Sequence, residues 1–435
     1  NYRMELLAEL ECVNFVCLSD HKSAIEVLKN IKPNVYIKGQ DYKNLKNDKT
    51  GNILLEKKIV EKNGGKIIYT NEETFSSSTI INNNFSFNIE QKKYLNSISS
   101  KYTLEAIYKI FQKISNLKVL VIGETIIDQY NFCEALGKSG KEPYLALKDI
   151  YSQDFLGGAA AIANHIVDFS KKVKLISIVG ENDEYKNFIK KKLNKNIKST
   201  FFKKKNSPTI LKKRFIDNVS KNKLFGIYSI NDEELSEKHD AKISRYIENN
   251  LKNFDLIIVS DYGHGFISNR SAKKISKTKS FVALNAQVNA SNIGYHTLQK
   301  YNQTDAMIIN ETELRHEMRN KNEEIKSLSK KLFKNINSKN LVITRGKNGA
   351  LLISKNNKEI FESPAYANNI IDKVGAGDAM LSMISMLIKV NAPKDLSLLL
   401  GSFAGAFSVE NVANSASLNK KYFLRHLEFS LKLEN

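Results

Sequence analysis

Cysteine is scarce in this chain and carries no pattern: Cys12, Cys17 and Cys133 give an odd count with no CxxC pair. That argues against a disulfide framework or a zinc site and points to a reducing cytoplasm. The seven histidines are scattered without ligand spacing. Proline and glycine are also few, 5 and 20, leaving little room for long structureless linkers. Long apolar runs are missing, since none approaches the roughly 18 residues of a membrane span. The most apolar stretch, Ala379 to Ile388, is short, broken by serines and flanked by Asp378 and Lys389. It reads as a buried helix, and no membrane partner is expected. No signal peptide opens the chain, which begins at Asn1 without an initiator Met, as a fragment or a processed chain would.

What is present suits two or three folded domains in 435 residues, with 42% hydrophobic residues to build their cores. The net charge of +21 is nearly all lysine, interleaved with asparagine as in Lys190-Lys191-Lys192-Leu193-Asn194-Lys195-Asn196. Such Lys/Asn richness reads as compositional bias on a solvated surface, not as a nucleic-acid footprint. A positive field would equally suit small anionic substrates.

Three segments separate by pattern. Residues 1 to 84 follow βα grammar, with helical Met4 to Leu10, a strand at Asn34 to Ile37, helical Ile53 to Glu61 and a strand at Lys66 to Tyr69. Residues 85 to 116 carry Leu104, Ile107, Tyr108, Phe111 and Ile114 at helical spacing and read as a helical connector. From 117 to 435, continuous apolar strands at Val119–Ile122, Leu175–Val179, Leu256–Val259, Phe281–Leu284, Ala306–Ile309 and Leu341–Thr344 alternate mostly with helices. That alternation predicts an α/β fold with a doubly wound, mainly parallel sheet, whose ligands bind beyond the carboxyl ends of the strands. Ser207 to Ile230 alternates polar and apolar residues, as a hairpin or small lid sheet would.

The sharpest chemical feature is Asp372-Lys373-Val374-Gly375-Ala376-Gly377-Asp378, running directly into the apolar helix. Small residues at a helix start let backbone N–H groups approach an anion, and the helix dipole adds to the attraction. An aspartate in the first turn can take a proton from a hydroxyl beside that anion. On its own the pattern suits equally well a glycine turn whose aspartate caps the helix.

The segment resembles the DTVGAGD signature of the ribokinase-like (phosphofructokinase B) sugar kinases, with Lys373 in the threonine position. The resemblance implies Asp378 as catalytic base and the amides of Gly375, Ala376 and Gly377 as an anion hole. Other elements of that family follow in order. Gly123-Glu124 through Asp128 resembles GDxxxD, implying that Asp128 binds sugar hydroxyls, and Gly157-Gly158 resembles the double glycine lying against the sugar. The usual asparagine three residues later is Ala161 here. Asn310 and Glu313 match NxxE and imply water-mediated Mg²⁺. Thr344, Gly346 and Gly349 match the TxGxxG turn that holds nucleotide phosphates. ATP and Mg²⁺ are thus the implied cofactors, with a monovalent cation as a further candidate and homodimerisation through the lid sheet as a candidate assembly.

Ser260-Asp261-Tyr262-Gly263-His264-Gly265 is similar to the SDYxKG of heptose-phosphate kinases, which adds Asp261 to the substrate side. Ser139-Gly140-Lys141-Glu142-Pro143 stands in the place of their SPEAP segment. His264, Lys141 and Asn285 depart from that branch and imply a different sugar, with Lys141 and Lys138 favouring a phosphorylated one. Lys38-Gly39-Gln40-Asp41-Tyr42 and Ser76-Ser77-Ser78-Thr79-Ile80-Ile81 resemble the KGxDY and SSTxI elements of cytidylyltransferase-like nucleotidyltransferases, a partial Rossmann-like segment whose HxGH half is absent. Two alternatives therefore stand beside a sugar kinase: a bifunctional kinase/nucleotidyltransferase needing residues not in this chain, and a non-catalytic basic nucleic-acid-binding protein on a kinase fold.

Overall fold

The computed structural model describes residues 8, 13–19, 23–38, 53–69, 87–288, 292, 297–355 and 357–432. The chain divides into two compact units, with the boundary between residues 86 and 87. The smaller unit contains α1 (Ile25–Ile31), β1 (Val35–Lys38), α2 (Ile53–Lys62) and β2 (Lys66–Tyr69). Its two strands pair in parallel, Val35 opposite Lys66, and the crossover carries α2, so this is the βα pattern expected from the sequence. Gly65 is required there, because a Cβ would lie 2.2 Å from Pro33 O. The expected Met4–Leu10 helix apart from Ala8, the greater part of Lys38–Tyr42 and all of Ser76–Ile81 lie outside the described residues.

The larger unit opens with α3 (Ile89–Ser99) and α4 (Leu104–Ser115). Asn88 and Gln91 form a reciprocal capping box at the start of α3, while α4 buries Ile107, Phe111 and Ile114 one turn apart. Both belong to this unit: Gln91 donates to Ala365 O at 2.6 Å and Tyr102 to Asp395 at 2.9 Å. Next come β3 (Lys118–Gly123), β4 (Thr125–Lys138), β5 (Leu145–Gly158), α5 (Ala159–Ile166), β6 (Lys172–Gly180), α6 (Lys186–Lys192) and β7 (Ile197–Lys204). They are followed by β8 (Ile210–Asp217), β9 (Lys223–Ser229), α7 (Glu237–Leu251), β10 (Leu256–Asp261), α8 (Asn269–Ser276), β11 (Phe281–Ala286), β12 (Ala306–Asn310) and α9 (Glu311–Glu317). The chain closes with α10 (Ile325–Asn335), β13 (Asn340–Thr344), β14 (Ala350–Ser354), β15 (Asn357–Ser363), α11 (Ala376–Lys389), α12 (Lys394–Val409) and α13 (Lys420–Lys432).

A nine-stranded sheet runs in the order β15-β14-β13-β12-β11-β10-β3-β6-β7. It is parallel from β13 to β7, with β14 and β15 antiparallel at one edge. Its central strands are buried on both faces, which is why they read as unbroken apolar runs. Each strand expected from those runs is present, and the doubly wound fold class holds. A second sheet, in the order β5-β4-β8-β9, has four strands. The hairpin expected at Ser207–Ile230 forms half of it. Its other half, the long β4–β5 hairpin, was not legible as strand, because its outer parts are exposed and mixed in polarity. Among the described residues no helix is long and apolar enough to cross a membrane; Ala379–Ile388 is instead the buried body of α11.

Candidate active site

The start of α11 packs near the carboxyl end of β10, where a parallel sheet leaves its ligand crevice. Gly375 caps the helix with φ 91°, and a Cβ there would lie 2.2 Å from Asn414 Oδ1. At Gly377 an added Cβ would meet no described atom within 4 Å, so this glycine keeps space open and does not serve packing. No side chain caps the helix, and its first internal bond runs from Ala379 N to Gly375 O at 3.0 Å. The preceding amides, Ala376 to Asp378, are thus left for an anion.

Asp378 lies in this first turn, and its Oδ1 accepts from Tyr262 OH at 2.9 Å. Burial raises its carboxyl to about 7, and the Asp128 charge adds to this, against the Tyr262 hydrogen bond and the Lys212 charge. The residue keeps partial contact with solvent; the protein packed around its carboxyl causes the shift. A carboxylate with a pKa near neutrality, beside an anion cradle, is suited to taking a proton from an alcohol.

Asp128, on β4, is buried and accepts a short hydrogen bond from Arg214 on β8. Gly157 presses on this carboxylate, since a Cβ would lie 2.4 Å from Asp128 Oδ2. Gly158, with φ 63°, leaves no room beside Glu124 O, where a Cβ would approach to 2.3 Å. Glu124 is fully buried and accepts from the amides of Tyr262 and His264 at 3.1 and 3.2 Å. Burial and then the Asp261 charge push it up to about 7. It thereby fixes the loop that presents Tyr262 to Asp378.

Asn310 and Thr344 are register partners at the carboxyl ends of β12 and β13. Asn310 and Glu313 form a capping box at α9, each side chain accepting from the other's amide at 2.8 Å. That engages one oxygen of each residue. Glu313 Oε1 is buried without a hydrogen-bond partner of good geometry, and burial raises this carboxyl to about 7 against the backbone hydrogen bonds of Asn310 and Val288. An unsatisfied oxygen there fits a hydrated divalent cation. No trio of metal-ligating side chains occurs among the described residues, and Mg²⁺, which keeps its waters and binds substrate phosphates, needs none. Gly346 and Gly349 both have positive φ in the turn between β13 and β14, and a Cβ on Gly349 would meet Ser363 O at 1.9 Å.

Asp261 ends β10, directly before the Tyr262 that meets Asp378. Asp261 is buried, with Oδ2 accepting from Lys300 at 2.8 Å and Tyr301 at 2.7 Å. Lys141 sits exposed at the tip of the β4–β5 hairpin, beyond Lys138. About ten residues of strand, roughly 30 Å, separate Lys138 from Asp128. His264 is buried with Nδ1 2.6 Å from Asp232 Oδ1, and Asn285 donates to Ile308 O at 2.8 Å. Sequence reasoning missed Tyr262 as partner of the aspartate, Lys212 and Arg214 on β8, and the pairing of Asp372 with Tyr130 and with Lys223, whose Nζ is 2.5 Å away. The charged run Lys212-Lys213-Arg214 inside an otherwise largely apolar strand was the available signal for the β8 pair. A basic cavity of about 860 Å³ between α7 and α8 lies toward the opposite, amino-terminal ends of β10 and β11, remote from this constellation.

A mainly parallel sheet with a glycine-rich helix start at its carboxyl edge and a small β lid is the ribokinase-like fold. Escherichia coli phosphofructokinase-2 in complex with potassium superposes with a TM-score of 0.58 at 14% identity, over 72% of this chain and 99% of that one. Arabidopsis thaliana ribokinase complexed with ribose and ATP gives 0.54 at 17%, with the same coverage. At these identities the likeness is one of fold. Residues 116–421 match the pfkB family carbohydrate kinases, and the chain belongs to that family. Curated relatives include the Bifunctional protein HldE of a Nitratiruptor species, 24% identical over 62% of this chain and 56% of that protein. The Campylobacter jejuni protein of the same name is 24% identical over 73% and 67%. This chain is thus a sugar kinase by family, matching little more than half the length of the first of these relatives.

Proposed function

We propose that the chain transfers the ATP γ-phosphoryl group to a hydroxyl of a heptose-like sugar or sugar phosphate, with Asp378 as general base. The observation that carries this is the raised Asp378 carboxyl beside the uncapped amides of Ala376 and Gly377. Asp128 and the Gly157-Gly158 backbone hold the sugar, and Asp378 takes the proton of the attacking hydroxyl. The α11 amides stabilise charge on the transferring group. Thr344, Gly346 and Gly349 bind the nucleotide phosphates. Asn310 and Glu313 would hold hydrated Mg²⁺, which when bound would neutralise phosphate charge.

The heptose-like acceptor is supported by the HldE relatives. Their bifunctional name, with the βα unit before residue 86, favours reading that unit as part of a nucleotidyltransferase domain. A coupled assay across hexoses, heptoses and their monophosphates tests the kinase reading. Asp378→Asn should lower kcat by about 10²- to 10⁴-fold with ATP affinity retained; a variant that still turns over would reject the base.

A further inference from the structure

Lys204, the last residue of β7, is 7% exposed and uses its ammonium entirely on backbone. Its Nζ donates to the carbonyls of Asn231 at 2.6 Å, Glu233 at 2.7 Å and His264 at 3.0 Å. An ammonium has three donors, so none is left over. Burial holds its pKa below the ordinary lysine value, against the charges of Asp232, Glu124 and Glu233. A buried ammonium is costly, and a neutral side chain would not supply three donors at one point.

The three carbonyls belong to two different segments. Asn231 and Glu233 lie on the stretch that leaves the lid sheet after β9 and runs to α7, whereas His264 lies in the loop after β10. Asp232, between the first two, joins the same contact, with its Oδ1 2.6 Å from His264 Nδ1. From the other side, Glu124 Oε1 accepts from the His264 amide at 3.2 Å. Gly265 permits the close approach: its φ is 87°, and a Cβ there would lie 2.4 Å from Glu233 O and 3.1 Å from Lys204 Nζ. Two residues before His264, Tyr262 donates its hydroxyl to Asp378 Oδ1 at 2.9 Å. One lysine therefore fastens the exit of the lid to the loop that carries the hydrogen-bond partner of Asp378.

We propose that Lys204, assisted by Asp232, is a positioning residue: it clamps the lid exit onto His264 and so keeps the Tyr262 hydroxyl on Asp378. Its bearing on catalysis rests on the reading of Asp378 as general base. Without the ammonium, three carbonyls lose their donor and residues 231–233 are freed from His264. Tyr262 then loses its fixed approach to Asp378, whose ionised form its hydroxyl favours. Burial and the Asp128 charge, which oppose ionisation, remain in place, as does the Lys212 charge that supports it. A staple with a purely structural role would lower the melting temperature in the same way but leave the proton affinity of Asp378 where it is. That difference separates the two roles.

The test reads the Asp378 carboxyl directly and needs no substrate. In the full chain, isotopically labelled at its aspartate carboxyl carbons, the Asp378 resonance is the one missing from Asp378→Asn, and its midpoint is followed by NMR as pH is varied. Tyr262→Phe should raise that midpoint. Lys204→Met should raise it by about 0.5 to 1 pH unit, the range of one hydrogen bond. The double variant should rise no further than Tyr262→Phe alone, because both changes remove the same contact. Asp232→Ala, at a carboxylate 37% exposed, should shift the midpoint in the same direction by less. An unchanged or lowered midpoint in Tyr262→Phe or in Lys204→Met, or a double variant that shows the two single shifts added together, would overturn the clamp. Should Lys204→Met not fold, Asp232→Ala decides, and an unmoved midpoint there overturns it. The general-base reading fails separately, through turnover that survives in Asp378→Asn while these midpoints still move.

Discussion

At the scale of single residues, the Asp378 carboxyl has two consequences that can be measured separately. As the proposed base it must be ionised, so kcat/KM should rise with pH through about 7. Tyr262 OH stabilises the ionised form, so Tyr262→Phe should move that acid limb to higher pH; no shift, or a downward one, would remove Tyr262 from the mechanism. Stability responds in the opposite sense. The folded pKa of about 7 exceeds the ordinary 3.8, so the folded chain binds the proton more tightly than the unfolded one. Ionised Asp378 therefore costs stability fully above pH 7, and the cost fades as pH falls from 7 toward 4. Asp378→Asn should melt higher than the wild type at pH 8, with the difference vanishing near the lower end of that window, as followed by thermal denaturation. The sequence made Asp378 legible because glycines and an aspartate at a helix start are a local pattern. Lys212 was not legible, because one lysine among 67 basic residues is distinguished only by its burial.

At the scale of elements, the loop leading into α11 is tied to the lid sheet through Asp372. This carboxylate, 5% exposed, accepts from Tyr130 on β4, from Lys223 on β9, and from the amides of Val374 and Ala413 at 3.1 and 3.0 Å. Burial alone would raise its pKa, but the Lys223 and Tyr130 hydrogen bonds outweigh it and hold the group low. Its contribution to stability is present above the ordinary carboxylate pKa and is lost as pH falls through the depressed one. Lys223→Met leaves a buried carboxylate without its counter-charge. It should lower stability by about 1–3 kcal/mol near neutral pH, a range kept modest because Lys223 is partly exposed. The deficit should shrink in acid. It should also lower kcat, since that loop leads directly into the α11 turn that holds Asp378; thermal melts across pH together with kinetics check both. An unchanged kcat would mean that the lid and the loop before α11 are mechanically independent. None of this was readable from the chain, because Lys223 and Asp372 are far apart in sequence and meet only once both sheets exist. The strands of the large sheet were readable, since burial on both faces requires unbroken apolar residues. β4 and β5 were not, since long parts of them face solvent.

At the scale of the whole molecule, the lid sheet is where the fold is unfinished. Its edge strand β9 exposes Leu224, Phe225, Ile227 and Tyr228, and Phe225 stacks on Phe215 with ring centres 4.6 Å apart. The β4–β5 hairpin adds Leu136, Tyr144 and Leu145 near its tip. An exposed edge bearing large apolar side chains invites pairing, and the usual protections of proline or a dense row of charge are missing from β9, which has Lys223 alone at one end. Single surface apolar residues need no explanation, but several along one exposed edge strand make β9 a candidate interface. The net charge of +21 opposes association of two copies over most of the surface, so a dimer must be held where lysine is sparse. β9 meets that condition. We expect the chain to sediment as a homodimer joined through the lid sheets, and Phe225→Lys with Ile227→Lys to sediment as a monomer with an unchanged far-ultraviolet spectrum. Because the same sheet carries Asp128, separation of the copies should weaken acceptor binding more than ATP binding. A wild-type chain that sediments as a monomer at low salt and at high salt would mean that the apolar edge serves a different partner. Salt is the informative variable, since screening relieves repulsion between like-charged copies and leaves the apolar contact in place.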